Sequence, residues 1–159
     1  MRESIVIALD GSKVGESAMP YVADLLSKLL PELDREVILL QVLSPVMETR
    51  TVSGVAVPDI PATEKEMEKR RQKALDYLDR AGESLRSKGA TVTSRVAVGD
   101  AAEQIVRVAE EVDANLIALS THGRSGLSRL AFGSVTDKVL RLGGRIPIIV
   151  IRAQQHGSR

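Results

Sequence analysis

The residues best placed to do chemistry lie in one stretch, 119–136, LSTHGRSGLSRLAFGSVT. An apolar run ending at Leu119 gives way to Ser120-Thr121-His122-Gly123. Nine residues follow, then Gly133-Ser134, and a helical pattern restarts at Val135. A strand that ends in a glycine-bearing loop and leads into a helix start is the arrangement of a phosphate cradle. Glycine lets the backbone approach an anion, and the first N–H groups of a helix are donors without a partner inside it. The plainer reading is a tight turn whose glycines only supply positive φ. The two polar clusters meet on one ligand only if the residues between them fold back. Spacing alone leaves both readings open.

Other chemistry is poorly supported. The chain has no G-x4-G-K-(S/T), which argues against a P-loop hydrolase. Ser125, Ser128 and Ser134 have no readable His/Asp system, and no carboxylate pair is spaced to hold a metal. His122 beside a glycine reads as structural, and His156 in the tail as solvated. With no cysteine, disulfides, thiolate metal sites and cysteine nucleophiles are excluded. Aromatics are limited to Tyr21, Tyr77 and Phe132, so no stacking platform for single-stranded nucleic acid exists. A net charge of +1 with both signs dispersed gives no basic footprint. No apolar run approaches the roughly 20 residues of a membrane span, and the first residues lack a secretory pattern. The expectation is a soluble cytoplasmic protein that binds neither nucleic acid nor membrane.

The elements that must position the 119–136 stretch follow from periodicity. Residues 4–9, SIVIAL, read as a strand buried on both faces and ending in Asp10-Gly11-Ser12. Ser12 can cap a helix whose stripe is Val14, Ala18, Val22, Leu25, Leu26 and Leu29, stopped at Pro31. Residues 36–43 form a second buried strand, and 44–62, with three prolines, a long surface loop. Thr63 and Glu66 have capping-box spacing ahead of a helix that stops near Gly89, with the charged 64–73 face in solvent. Residues 90–98 alternate like an edge strand. Asp100 and Glu103 repeat the capping-box spacing before the stripe Ala102, Ile105, Val106, Ala109 and Val112. A strand at 116–119, a helix from Val135 to Gly143-Gly144 and a strand at 147–151 complete the order. The polar tail 153–159 is expected to fray.

This βαβαβαβαβ order predicts an α/β fold with one doubly wound, five-stranded parallel sheet and helices on both faces. The most apolar strands belong in the centre and the partly polar 90–98 at an edge. The strand that opens on Pro147 tolerates the other edge. Strand order 3-2-1-4-5 satisfies these constraints. Its topological switch lies between strands 1 and 4, so the Asp10 loop and the loop after Leu119 should flank a ligand crevice. A phospho-acceptor receiver with Asp10 in its acid pocket is excluded, because Val96-Ala97-Val98 ends the third strand without an acceptor aspartate.

The same residues resemble the universal stress protein family. Ser120-x2-Gly123-x9-Gly133-Ser134 is similar to that family's ATP-binding pattern, G-x2-G-x9-G-(S/T), with Ser120 at the first glycine. Serine there adds a Cβ and a hydroxyl donor. The run 122–126, HGRSG, resembles the nucleotide-binding branch, and Ala8-Leu9-Asp10-Gly11-Ser12 resembles the family's first strand and loop. The resemblance spans residues 1–152. It implies ATP as ligand, with Mg²⁺ held mostly by phosphates and water. Gly123, Gly133, Ser134 and Thr136 would face the phosphates and Arg124 the rim. Asp10 would contact ribose or base, with the Val42 backbone near adenine and Gly99 lining the pocket. Ala8, Leu9, Leu119, Ser120 and Val135 flank these positions. The resemblance implies a regulatory protein of the stress response, with slow hydrolysis or autophosphorylation at most. It also implies a homodimer through Ile146–Ile151, with Ile149 and Ile151 near the contact. The alternative is a homodimeric interaction module that binds no nucleotide.

Overall fold

The computed structural model describes residues 3–13, 15–29, 35–46, 51–52, 55–56, 61–121 and 133–152. In chain order the elements begin with β1 (Glu3–Ala8), a 3₁₀ turn at Gly15–Ser17, α1 (Ala18–Leu29) and β2 (Arg35–Leu43). Two short strands follow, β3 (Thr51–Val52) and β4 (Val55–Ala56), and then α2 (Glu64–Arg86) and β5 (Thr91–Val98). The last are α3 (Ala101–Glu111), β6 (Leu116–Thr121), α4 (Ser134–Leu142) and β7 (Ile148–Arg152). Five strands form one parallel sheet in the order β5-β2-β1-β6-β7. Counted over the five main strands, this is the expected 3-2-1-4-5.

Alternation along the central strands divides the core into two layers. Ile5, Ile7 and Leu9 of the first strand region join Val37 and Leu39 of β2. Against them lie Ala18, Met19, Val22 and Ala23 of α1 and Leu78 and Leu85 of α2. Val6, Ile38, Leu40 and Ile117 point the other way, to Ile105, Val106 and Ala109 of α3 and Val139 of α4. Full burial of each such aliphatic side chain contributes about 1.5–3 kcal/mol, so an almost wholly aliphatic core suffices. β5 alternates exposed and partly buried at its start, as an edge strand should. Gly82 lets α2 approach the sheet: a Cβ there would lie 2.9 Å from Val92 Cγ1 and 3.2 Å from Leu39 Cδ1.

The helix starts follow the expected chemistry with one difference. Thr63 and Glu66 form a reciprocal capping box. Asp100 accepts from the Glu103 N–H at 3.0 Å, but the Glu103 carboxylate reaches Lys138 of α4, 3.0 Å away, and does not turn back to the cap. A lysine ammonium outcompetes a backbone N–H for that carboxylate because the bond is between two charges. Within 44–62 the described residues include paired strands. β3 and β4 pair antiparallel and Val46 bridges to Pro61. β6 runs two residues past Leu119, because Ser120 and Thr121 keep pairing with Ile151 and Arg152. Among the described residues no helix is long and apolar enough to cross a membrane. Pro31 and the tail 153–159 lie outside the described residues.

Candidate functional site

β1 and β6 pair from Ile5–Leu116 to Ile7–Ala118 and then separate. Past that point the Leu9 N–H donates to Leu40 O of β2 at 2.8 Å, so the chain leaving β1 leans toward β2. β6 leans the other way, onto β7. The divergence opens a crevice at the carboxyl ends of the strands, where an open α/β sheet takes ligands.

On the β1 side the exposed Asp10 organises the loop. Its Oδ1 accepts from the Ser12 N–H at 2.9 Å and from Ser12 Oγ at 2.5 Å, an Asx-type turn. Gly11 between them sits at φ +86°, a conformation that favours glycine. Ser12 Oγ in turn accepts from the Gly15 N–H at 3.0 Å, which makes Ser12 the expected cap of the following turn. Gly15 is buried, and a Cβ there would lie 2.6 Å from Asp10 Oδ1. Ser120, from β6, reaches across the crevice floor and donates from Oγ to the Gly15 carbonyl at 2.9 Å. Leu9 and Leu119 are core residues of opposite layers, so at this end only their backbone can serve a ligand.

On the β2 and β5 side, Val42 and Ala8 pack partly buried against the α3–α4 layer. The Gly99 N–H donates to Leu43 O at 3.0 Å, and the φ of +142° at Gly99 turns the chain into α3. α4 is tied to this corner by Lys138, 3.1 Å from Asp100 Oδ1 and 3.0 Å from Glu103 Oε1. The Glu103 backbone N–H first, then Lys138, holds the Asp100 carboxyl below its ordinary value. The bond to Glu103 first, then that to Asp100, raises Lys138. Gly133, at φ +89°, precedes α4, and among the described residues no side chain caps the helix and nothing lies within 4 Å of a Cβ placed there. Gly133, Ser134 and Val135 are exposed, while Thr136 is buried. A helix start without a side-chain cap among the described residues suits an anion. Gly123 and Arg124, with His122, lie outside the described residues.

Several residues here have no signal in the pattern of the sequence. Tyr77 of α2 carries a buried hydroxyl whose pKa is driven upward, chiefly by burial and then by the carboxylates of Glu16 and Asp10. Gln41, at the end of β2, lies beneath the loop, its Nε2 3.7 Å from a Cβ built on Gly11. Lys138 and Gly15 act through partners far away or on another turn, and no local spacing announces either one.

The fold defines an α/β protein of the doubly wound class, with its topological switch between β1 and β6. The family model described as the universal stress protein family matches residues 1–152, and the chain belongs to that family. Among curated proteins no sequence matches. Similar solved structures include the hypothetical protein MJ0577, at 24% identity over 96% of this chain and 97% of that one, with a TM-score of 0.70. The universal stress protein from Archaeoglobus fulgidus in complex with dAMP is 20% identical, covers 95% and 98%, and has a TM-score of 0.61. An Arabidopsis thaliana member with AMP bound is 15% identical, covers 96% and 92%, and has a TM-score of 0.60.

Proposed function

We propose that this universal stress protein binds an adenine nucleotide, ATP carried with Mg²⁺, in the crevice between β1 and β6, and that it acts as a cytoplasmic regulator of a stress response. The observation that carries the reading is the divergence of β1 and β6 between an exposed Asp10 and an α4 start that no described side chain caps. Gly133, Ser134, Val135 and Thr136 supply first-turn donors to the phosphates, together with Gly123 and Arg124 by the sequence pattern. Ser120 and the backbones of Leu9 and Leu119 form the floor. Asp10 takes the ribose or base, with Ala8, Val42 and Gly99 around the adenine. The solved relatives in complex with dAMP and AMP support the choice of nucleotide. Mg²⁺, when bound, neutralises phosphate charge, and the chain's own part is to orient the nucleotide.

The second part of the reading is assembly. β7 is an edge of the sheet, and Ile148, Ile149, Val150 and Ile151 stay partly exposed there before Arg152. An apolar edge of this kind invites pairing with a second copy. Calorimetric titration of protein stripped of ligand, with ATP, AMP and inorganic triphosphate, tests the site. Asp10→Ala should weaken ATP more than triphosphate, and Gly123→Val should abolish binding in a folded protein. Absence of binding by the wild-type chain to every adenine nucleotide would leave the interaction-module reading.

A further inference from the structure

The Asp10 loop and the carboxyl end of β6 are joined by one hydrogen-bonded path. Ser120 Oγ donates to the Gly15 carbonyl at 2.9 Å. The Gly15 N–H donates to Ser12 Oγ at 3.0 Å, and Ser12 Oγ donates to Asp10 Oδ1 at 2.5 Å. Every link donates toward the carboxylate, so the path is anchored on one negative charge. Its ends come from strands whose own pairing has stopped, since β1 and β6 part after Ile7 and Ala118. Gly15 is the narrow point, because its missing side chain is what leaves room for Asp10 Oδ1.

In the ligand-free chain the Ser120 hydroxyl gives its proton to the Gly15 carbonyl. We propose that Ser120 is a positioning residue that couples the Asp10 loop to the carboxyl end of β6. Where a ligand takes hold of the Asp10 carboxylate, the hold on Ser12 and Gly15 changes, and with it the tether on Ser120. The coupling of the Asp10 loop to β6 stands on geometry alone, and its effect on nucleotide rests on the reading above.

A double-mutant cycle tests it, with Ser120→Ala, Asp10→Asn and the pair, and Ser120→Thr as the variant that keeps the hydroxyl. Denaturation of the ligand-free proteins reads the path itself. Residues on one hydrogen-bond path should show losses that do not add, whereas independent sites add. Titration with ATP reads the effect on the site. Ser120→Ala should weaken ATP about tenfold, the effect of Asp10→Asn should shrink to about threefold in that background, and Ser120→Thr should restore wild-type affinity; tenfold corresponds to about 1.4 kcal/mol. Additive losses in ligand-free denaturation overturn the coupling. Coupled losses in a chain whose wild type binds no adenine nucleotide support the path and overturn the nucleotide reading instead. Coupled denaturation with additive losses of ATP affinity would show that the path holds the Asp10 loop to β6 without positioning the ligand, which overturns the role given to Ser120.

Discussion

Replacing Gly15 with alanine separates clearance from conformation at the heart of the crevice. The new methyl would lie 2.6 Å from Asp10 Oδ1, 3.4 Å from Asp10 N and 3.5 Å from Asp10 Cγ. Gly15 is not among the residues with positive φ, so the backbone accepts alanine and the cost is steric. The nearest atom is the end of a short, exposed side chain, which can swing away. It then loses the Ser12 N–H and Oγ bonds at 2.9 and 2.5 Å. Bonds to a charged group are worth about 1.5–3 kcal/mol each when shielded, but water replaces much of that for an exposed carboxylate. The pair together should cost about 1–2 kcal/mol. Alanine for glycine returns about 0.4–1 kcal/mol through the unfolded chain. The net loss is about 1 kcal/mol, a fall in Tm of about 2–4 °C for a chain of this size. Affinity for ATP should fall more, about tenfold or beyond, because the carboxylate that meets the nucleoside has been displaced. Scanning calorimetry and titration read the two effects. A fall in Tm above about 10 °C would place Gly15 in the core and refute the clearance argument. Unchanged affinity in a folded variant would remove Asp10 from the site.

Three further outcomes are expected. Gly82→Ala forces a methyl to 2.9 Å from Val92 Cγ1; overpacking of about 1–3 kcal/mol exceeds the helix gain of about 1 kcal/mol, so urea denaturation should show a less stable protein, and a gain in stability would contradict the packing. Ile149→Lys places like charges across a β7 edge that carries only apolar side chains before Arg152, and light scattering should find monomer or aggregate, where a variant still fully dimeric would move the interface elsewhere. The raised pKa of Tyr77 means that the fold favours its neutral form. The stability this contributes is complete below the ordinary tyrosine value near 10.0 and is lost as pH rises above it, toward the folded value. Absorbance titration should show a delayed step that is missing in Tyr77→Phe, and a variant that instead loses amplitude near the ordinary tyrosine value would place the hydroxyl in solvent.

What the sequence made legible was local or periodic. The runs at 4–9 and 36–43 are apolar at every core position, and no edge strand could hide both faces, so their central place followed. Thr63 with Glu66 and Asp100 with Glu103 lie within one turn, where chain geometry alone brings the groups together. The Asp100 pair failed halfway because the carboxylate of Glu103 had a competitor, Lys138, 35 residues away. The paired strands at Thr51–Val52 and Val55–Ala56 left a weak trace, β-branched residues around Ser53-Gly54, which the prolines of that loop obscured.

The crevice and the path beneath it differ in the same way. The crevice is a consequence of strand order, and strand order follows from which strands must be buried on two faces. The path from Asp10 to Ser120 joins residues distant in sequence, the last link alone spanning 105 residues. Hydrophobic periodicity tells which way a side chain points from its own element and carries no information about what it meets. Only the sheet, by setting the ends of β1 and β6 side by side and then letting them diverge, makes a serine hydroxyl and a glycine carbonyl neighbours. Serine at position 120 therefore reads in sequence as a departure from glycine. In the fold its added atom is the one that reaches across the crevice floor.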